Sequence, residues 1–206
     1  RQRHRSNCWW PTTTLMIDVY CVNVGTKYTR DFDKKLKNSV AEHLTLDHTF
    51  RCLTDRPEKE YDIPVTHPEL RGVFHKLSLF QYTGNCLFFD LDILINDNID
   101  FLASEFDRLT LVNSSPWKQQ SLKEPLKFRI TQNTLVNSSI MRWTDERKVF
   151  EKFMKHRDLY VRLYSGIDRF IYNEEIKYKY FVGDAISSWQ EGVKHNTILL
   201  HNQKYV

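Results

Sequence analysis

Long hydrophobic runs are missing from this 206-residue chain: no stretch of about eighteen apolar residues occurs, and the mean hydropathy is negative. A membrane-spanning helix is therefore not expected. Cysteine is sparse, with Cys8, Cys21, Cys52 and Cys86 showing neither Cys-x-x-Cys spacing nor the density of a stapled secreted domain. Reduced thiols and a cytoplasmic type of compartment are the expectation. A strong excess of one charge is also lacking. Arg1, Arg3 and Arg5 supply three of the net four positive charges, so the bulk does not describe a basic nucleic-acid surface.

Motifs are missing too. The phosphate-cradling patterns GxxxxGK[ST] and GxGxxG do not occur. No serine or cysteine nucleophile motif lies near His43, His48, His67 or His75, and Cys86 sits inside an apolar run. There is no internal repeat, no low-complexity tract and no heptad pattern. Residues 1–15 (RQRHRSNCWWPTTTL) lack the apolar stretch of a signal peptide. They read as a non-native or disordered extension, with a basic arm for a polyanion as the alternative. Residues 16–206 read as one domain, whose abrupt end suggests either a C-terminally truncated fragment or a minimal, divergent member of its family.

What is present suits a packed core: 41% of residues are hydrophobic and 14% aromatic. From Met16 the chain reads as a strand (IDVYCVNV), a GTKYT turn and a helix over about 31–44 with Phe32, Leu36, Val40 and Leu44 on one face. A second strand, TFRCLTD, follows. Strand, helix, strand is the grammar of a parallel sheet. The proline-bearing RPEKEYDIPVTHPE reads as a loop, and GVFHKLSLFQYT as a helix stopped at Gly84. CLFFDLDILI is read as one strand, NDNIDFLAS as a helical turn, RLTLVNSS as a strand, and NTLVNSSIMRW as a strand that breaks at Asn-Ser-Ser and resumes. A helix over about 145–156 comes next. LYSGIDRFIYNEEIKYKYFVGDAISSW reads as helix and irregular segments, and a last short strand lies in VKHNTILLHNQKYV. The fold class is α/β with a mainly parallel central sheet flanked by helices.

CLFFDLDILI (86–95) poses the chemical question, because a buried apolar strand carries Asp90 and Asp92. Ionised carboxylates in a low-dielectric interior are costly, so the pair should sit at the strand's wet end or share a cation. Strand alternation puts both on one face, with Leu91 opposite. Open α/β sheets bind ligands beyond the carboxyl ends of their strands. Two hard oxygen ligands there suit Mg²⁺ or Mn²⁺ completed by water and phosphate. Solvated carboxylates at a strand end are the plain alternative. Haloacid-dehalogenase-like phosphatases also end a strand in Asp-x-Asp, but that strand opens their domain, and here no glycine follows Asp92 and no later pair of adjacent aspartates completes the site.

In sequence, GVFHKLSLFQYTGNCLFFDLDILINDNIDFL (72–102) closely resembles the donor-binding core of GT-A glycosyltransferases, especially the glycogenin and galactosyltransferase-like family (family eight). The resemblance implies a GT-A-like fold and a metal-dependent hexosyltransferase. Such an enzyme moves a sugar from a nucleotide-diphosphate donor, expected to be a UDP-sugar, to an acceptor hydroxyl with retention. It implies that Asp92 ligates Mn²⁺ or Mg²⁺, that Asp90 contacts the metal shell and ribose, and that Lys76 reaches the donor sugar and phosphates. IDVYCVNVGTKY resembles the strand and turn that cradle the base, implying Val22, Asn23 and Tyr28. TLVNSSIMRW resembles a Phe-Asn-Ser-Gly strand, implying Asn137 and Ser138 at the sugar, with Ser139 where glycine is usual. SGIDRFIYNEE resembles a Gly-Asp-Gln segment, implying Asp168 beside the transferred sugar, with Arg169 in place of glutamine and Asp184 as the fallback. ILLHNQKYV resembles a His-x-x-Gly-x-x-Lys segment, implying His201 as third metal ligand and Lys204 on the diphosphate, although the glycine is absent and the spacing shorter. The acceptor, whether glycan, lipid-linked, protein or modified base, is not legible. A non-catalytic nucleotide-sugar or glycan-binding module is the competing class.

Overall fold

The computed structural model describes residues 16–104, 107–122, 128–191 and 197–200. The chain runs through β1 (Ile17–Asn23), α1 (Arg30–His43), β2 (His48–Thr54), β3 (Asp62–Pro64), α2 (His75–Ser78), β4 (Asn85–Phe89), β5 (Ile93–Ile95), β6 (Thr110–Asn113) and β7 (Val136–Trp143). Then come α3 (Arg147–Lys155), α4 (Arg157–Leu163), α5 (Ile167–Asn173), β8 (Lys179–Tyr180), β9 (Ile186–Ser188) and β10 (Ile198–Leu200). The main sheet has seven strands in the order β3-β2-β1-β4-β7-β6-β8. Four of its pairings are parallel, and β7 runs antiparallel to both neighbours. A three-stranded sheet, β5-β10-β9, lies beside it.

Strand alternation explains why the core has two halves. In β1, Ile17, Val19 and Cys21 face one cluster and Tyr20 the other; in β4, Leu87 and Phe89 face one and Cys86 and Phe88 the other. Both faces of the central strands are covered, which is why β4 reads as a continuous apolar run. One cluster joins the sheet to Leu36 and Val40 of α1 and to the small sheet. The other joins it to α2 through α5, where Phe153 is fully buried against the rings of Phe74, Tyr160 and Phe170.

Several expectations need correction. CLFFDLDILI is two strands in two sheets, with Asp90, Leu91 and Asp92 forming the corner. The corner holds because Leu91 is buried in the core while its neighbours face the rim. The strand β7 is continuous, but its ladder to β6 is interrupted at the asparagine-serine stretch: Leu111 faces Met141 and Val112 faces Asn137, so Ser138, Ser139 and Ile140 bulge out of that pairing. The supposed loop 56–69 contains β3, and two segments read as irregular are β8 and β9. Those strands are short, three residues or fewer, too short for any periodicity to show. The helix before Gly84 is only one α-turn with a 3₁₀ turn on either side, and it starts at Gly72, whose φ of +55° is left-handed.

Glu174 ties together the helices on one face. Its carboxylate accepts from the phenols of Tyr160 (2.9 Å) and Tyr164 (2.6 Å) and pairs with Lys152 (3.1 Å). Burial alone would raise its pKa, but these bonds, Tyr164's first, reverse that and hold it below the ordinary glutamate value. The stabilisation is therefore complete above the ordinary glutamate range and is lost as pH falls through the lowered value. Glu174→Gln should flatten the acid limb of a stability-against-pH curve, measured by urea unfolding. Phe153→Ala should lower stability by about 3–5 kcal/mol in the same assay.

Candidate functional site

Strand order places the site. β1 feeds β2 on one side and β4 lies on its other side, so the carboxyl ends of β1 and β4 flank the point where the winding reverses, the usual crevice of such sheets. Asp90 and Asp92 follow the end of β4, and the turn carrying Tyr28 follows the end of β1.

Asp90 is the most constrained group there. Its two carboxylate oxygens take the Lys76 ammonium at 2.7 and 2.8 Å. The Ser139 hydroxyl hydrogen-bonds it, and its own backbone N–H donates to the Ser139 carbonyl at 2.8 Å. Burial pushes its pKa up; Lys76 opposes this and the charge of Asp92 adds to it. Lys76 is 9% exposed, with its ammonium 5.2 Å from the centre of the Phe88 ring. It is thus held in place rather than snorkelling on a helix surface.

Asp92 accepts a 2.8 Å hydrogen bond from the Tyr28 phenol. Burial, that bond and the charges of Asp92 and Asp90 all raise the phenol's pKa, so both carboxylates act on one spot. Lys27 donates to the same phenol oxygen at 2.7 Å. Asn23, 1% exposed, is turned inward. Its amide donates to Asp33 (2.7 Å) and to the Thr29 carbonyl (3.1 Å), and its oxygen accepts from Arg56 at 3.4 Å. Gly25, at φ +78°, turns the chain, and its N–H is received by Asp55. Val22 is half-buried on β1 and packs toward the α2 to α5 core.

From the other side β7 supplies Asn137, Ser138 and Ser139. The Asn137 side-chain oxygen accepts from the Ser139 N–H at 2.8 Å. Asp168, in the first turn of α5, accepts from the Ser138 backbone N–H at 3.0 Å. The structure therefore brings Tyr28, Lys76, Asp90, Asp92, Asn137, Ser138 and Asp168 to one end of the sheet. Asp184 instead lines a separate cavity of about 350 Å³ with Phe101, Asn113 and Phe181. His201 and Lys204 lie outside the described residues. The sequence reading noted Ser139 only as a replacement for glycine, not as a neighbour of Asp90, and did not single out Lys27, which only its adjacency to Tyr28 hinted at.

Asp90 and Asp92 are hard oxygen donors on one short corner, of the type that small divalent ions take; Asp90 is half-buried, and the burial that disfavours its charge is opposed by the Lys76 ammonium. A second candidate, Asp33, Cys52 and Asp62, has ligand atoms within 4.8 Å of one another. There the carboxylates are already compensated, by Arg30 on both Asp33 (3.1 Å) and Asp62 (2.5 Å) and by Lys59 on Asp33 (3.3 Å). That network holds α1 to β2 and β3 and needs no metal.

No family model matches the chain, and no curated protein matches it. Solved structures do. The glycosyltransferase GlyE of Streptococcus pneumoniae TIGR4 superposes with a TM-score of 0.64 at 11% identity, over 90% of this chain and 55% of that one. The chain thus spans about half of GlyE's length. The galactosyltransferase LgtC gives 0.55 at 12% identity, over 89% of this chain and 86% of that one. A glycosyltransferase involved in glycosylation of the major capsid of PBCV-1 gives 0.54 at 13% identity, over 89% and 92%.

Lys76→Met should lower stability by about 2 kcal/mol, because it leaves Asp90 buried and uncompensated; the value is below the usual cost of breaking a buried pair since 23% of the Asp90 side chain meets solvent. Adding Asp90→Asn should recover most of that loss in urea unfolding at pH 7. Additive effects of the two changes would contradict the coupling. The chain has the mixed α/β fold of these glycosyltransferases, with a mostly parallel seven-stranded sheet.

Proposed function

We propose that the protein is a metal-dependent glycosyltransferase that moves a hexose from a nucleotide-diphosphate donor, a UDP-sugar, to an acceptor hydroxyl with retention. One observation carries this reading: Asp90, Asp92, Lys76 and Asp168 converge at the carboxyl end of β4 and on the neighbouring strand β7. They do so in a fold shared with three glycosyltransferases, one of them, LgtC, seen with donor and acceptor sugar analogues.

Asp90 and Asp92 would hold Mn²⁺ or Mg²⁺, with His201 as a further ligand. When bound, the ion supplies positive charge for the diphosphate leaving group. The remaining roles belong to side chains of the chain. Lys76, already fixed on Asp90, offers a second positive charge to the donor phosphates, and Lys204 does the same from the C-terminal segment. Tyr28 steers Asp92 and offers a wall for the base, Asn23 fixes the shape of that turn, and Val22 backs the end of β1 from the α2 to α5 side. Asn137 and Ser138 face the sugar. Asp168, oriented by the Ser138 N–H, is a sugar-positioning and charge-stabilising group. Residues 16–206 would form one such domain, in a cytoplasmic setting; among the described residues no helix is long and apolar enough to cross a membrane.

A second reading, a non-catalytic binder of nucleotide-sugars or glycans, is favoured by the Lys76–Asp90 pair itself. The lysine compensates the carboxylate that a metal shell would use. A panel of nucleotide sugars tested for Mn²⁺-dependent release of nucleoside diphosphate separates the two, and needs no acceptor. The transferase reading expects hydrolysis of one donor class, with Asp92→Ala reducing the rate by at least about 100-fold. Donor binding with no metal-dependent turnover would support the binder. Equal activity of wild type and Asp92→Ala would overturn the catalytic reading.

A further inference from the structure

A cleft of about 440 Å³ lies between the segment before α2 and the exposed side of α4, lined by Arg71, Arg157, Arg162, Glu69 and Val161 among others. Its charges are uneven. Arg157 is anchored by Asp158 (2.8 Å) and faces Glu69 at 3.9 Å. Glu69 is itself held by the His67 ring at 3.0 Å. Arg71 and Arg162 are exposed and have no acidic partner among the described residues. Two guanidiniums thus face one hollow uncompensated, beside a third that is held in a fixed pose.

The cleft connects by chain and by packing to the transfer site. Arg71 leads through Gly72 and Val73 into α2 and Lys76, while Arg162 leads through Gly166 into α5 and Asp168. The two paths touch, since the Val73 side chain lies 3.9 Å from where a Cβ would stand on Gly166. The cleft thus adjoins the two segments that lead into Lys76 and Asp168.

Resting on the transferase reading above, we infer that this cleft binds a phosphate carried by the acceptor. Two free guanidinium forks match a phosphomonoester dianion in charge and in planar hydrogen-bonding geometry. A polynucleotide fits poorly. It needs a row of cations and stacking rings, whereas the walls here carry Glu69 and Asp158 and no aromatic residue. A single carboxylate would leave one guanidinium unmatched. The acceptor class is thus a phosphorylated glycan or a phosphate-linked sugar, whose phosphate docks between Arg71 and Arg162 while its hydroxyl reaches the transfer site.

The test is amide and arginine-side-chain NMR of the whole chain titrated with glycerol 3-phosphate, repeated with acetate and with a single-stranded oligonucleotide. Saturable shifts at Arg71, Val161 and Arg162 with the phosphate ester are expected, at least about tenfold weaker in Arg71→Gln/Arg162→Gln. Mn²⁺-dependent donor hydrolysis should be unchanged in that variant. Shifts that do not saturate, that ignore the double substitution, or that acetate or the oligonucleotide reproduce more strongly would overturn the inference. Donor hydrolysis reports separately on the transferase reading, so either can fail alone.

Discussion

A carboxylate buried at the end of β4 is the constraint on which the rest of the site depends. The apolar run that makes β4 a central strand also carries Asp90 to the edge of a low-dielectric core, where its charge is disfavoured. The ammonium of Lys76 and the hydroxyl of Ser139 meet that cost. Because Lys76 lies on α2 and Ser139 on β7, compensating one charge fixes the relative placement of three elements. The same requirement explains why the chain turns at Asp90-Leu91-Asp92: Leu91 drops into the core as an anchor while both acids stay at the rim. Isolated, either acid would be a solvated strand end. Together, with a lysine fixed alongside, they form the polar corner on which the proposed metal and diphosphate site rests.

Two supporting networks keep that geometry rigid. On one flank the buried Asp33 gathers Arg30, Lys59, Asn23 and Tyr61, and Arg56 ties in the Tyr28 carbonyl. The turn that carries Tyr28 to Asp92 is thereby pinned. On the opposite flank Glu174 collects Tyr160, Tyr164 and Lys152, locking α3, α4 and the end of α5. Asp168 opens that same α5 and reaches the Ser138 N–H. Neither network touches Asp90 or Asp92; one pins the turn that carries Tyr28 to Asp92, and the other fixes the helix that carries Asp168 to the Ser138 N–H.

Much of this was legible from residue order. The strand, helix, strand opening gave the parallel pair β1-β2, because apolar periodicity over whole strands and over α1 is strong. Asp90 and Asp92 stood out by their spacing and Lys76 by the family resemblance; Lys76 pairs with Asp90, and the charge of Asp92 acts on Asp90. The short strands β3, β8 and β9 were not legible, since a strand of two or three residues has no period and is held by pairing with distant partners. Nor was the corner at Leu91. Alternation along one strand and a turn between two both place the acids on the same side, so the sequence pattern does not separate them. Ser139 was noted only as a substitute for glycine; its contact with Asp90 is long-range, made when β7 is set beside β4.

The central claim is that the corner after β4 grips a divalent ion that in turn grips a diphosphate. Calorimetric titration of UDP into the protein, with Mn²⁺ and then with the metal chelated, tests it most directly. The account predicts binding at least about tenfold tighter with the ion, roughly 1.4 kcal/mol, and loss of that difference in Asp90→Ala. UDP affinity that is the same with and without metal, or a metal effect that survives Asp90→Ala, would contradict it.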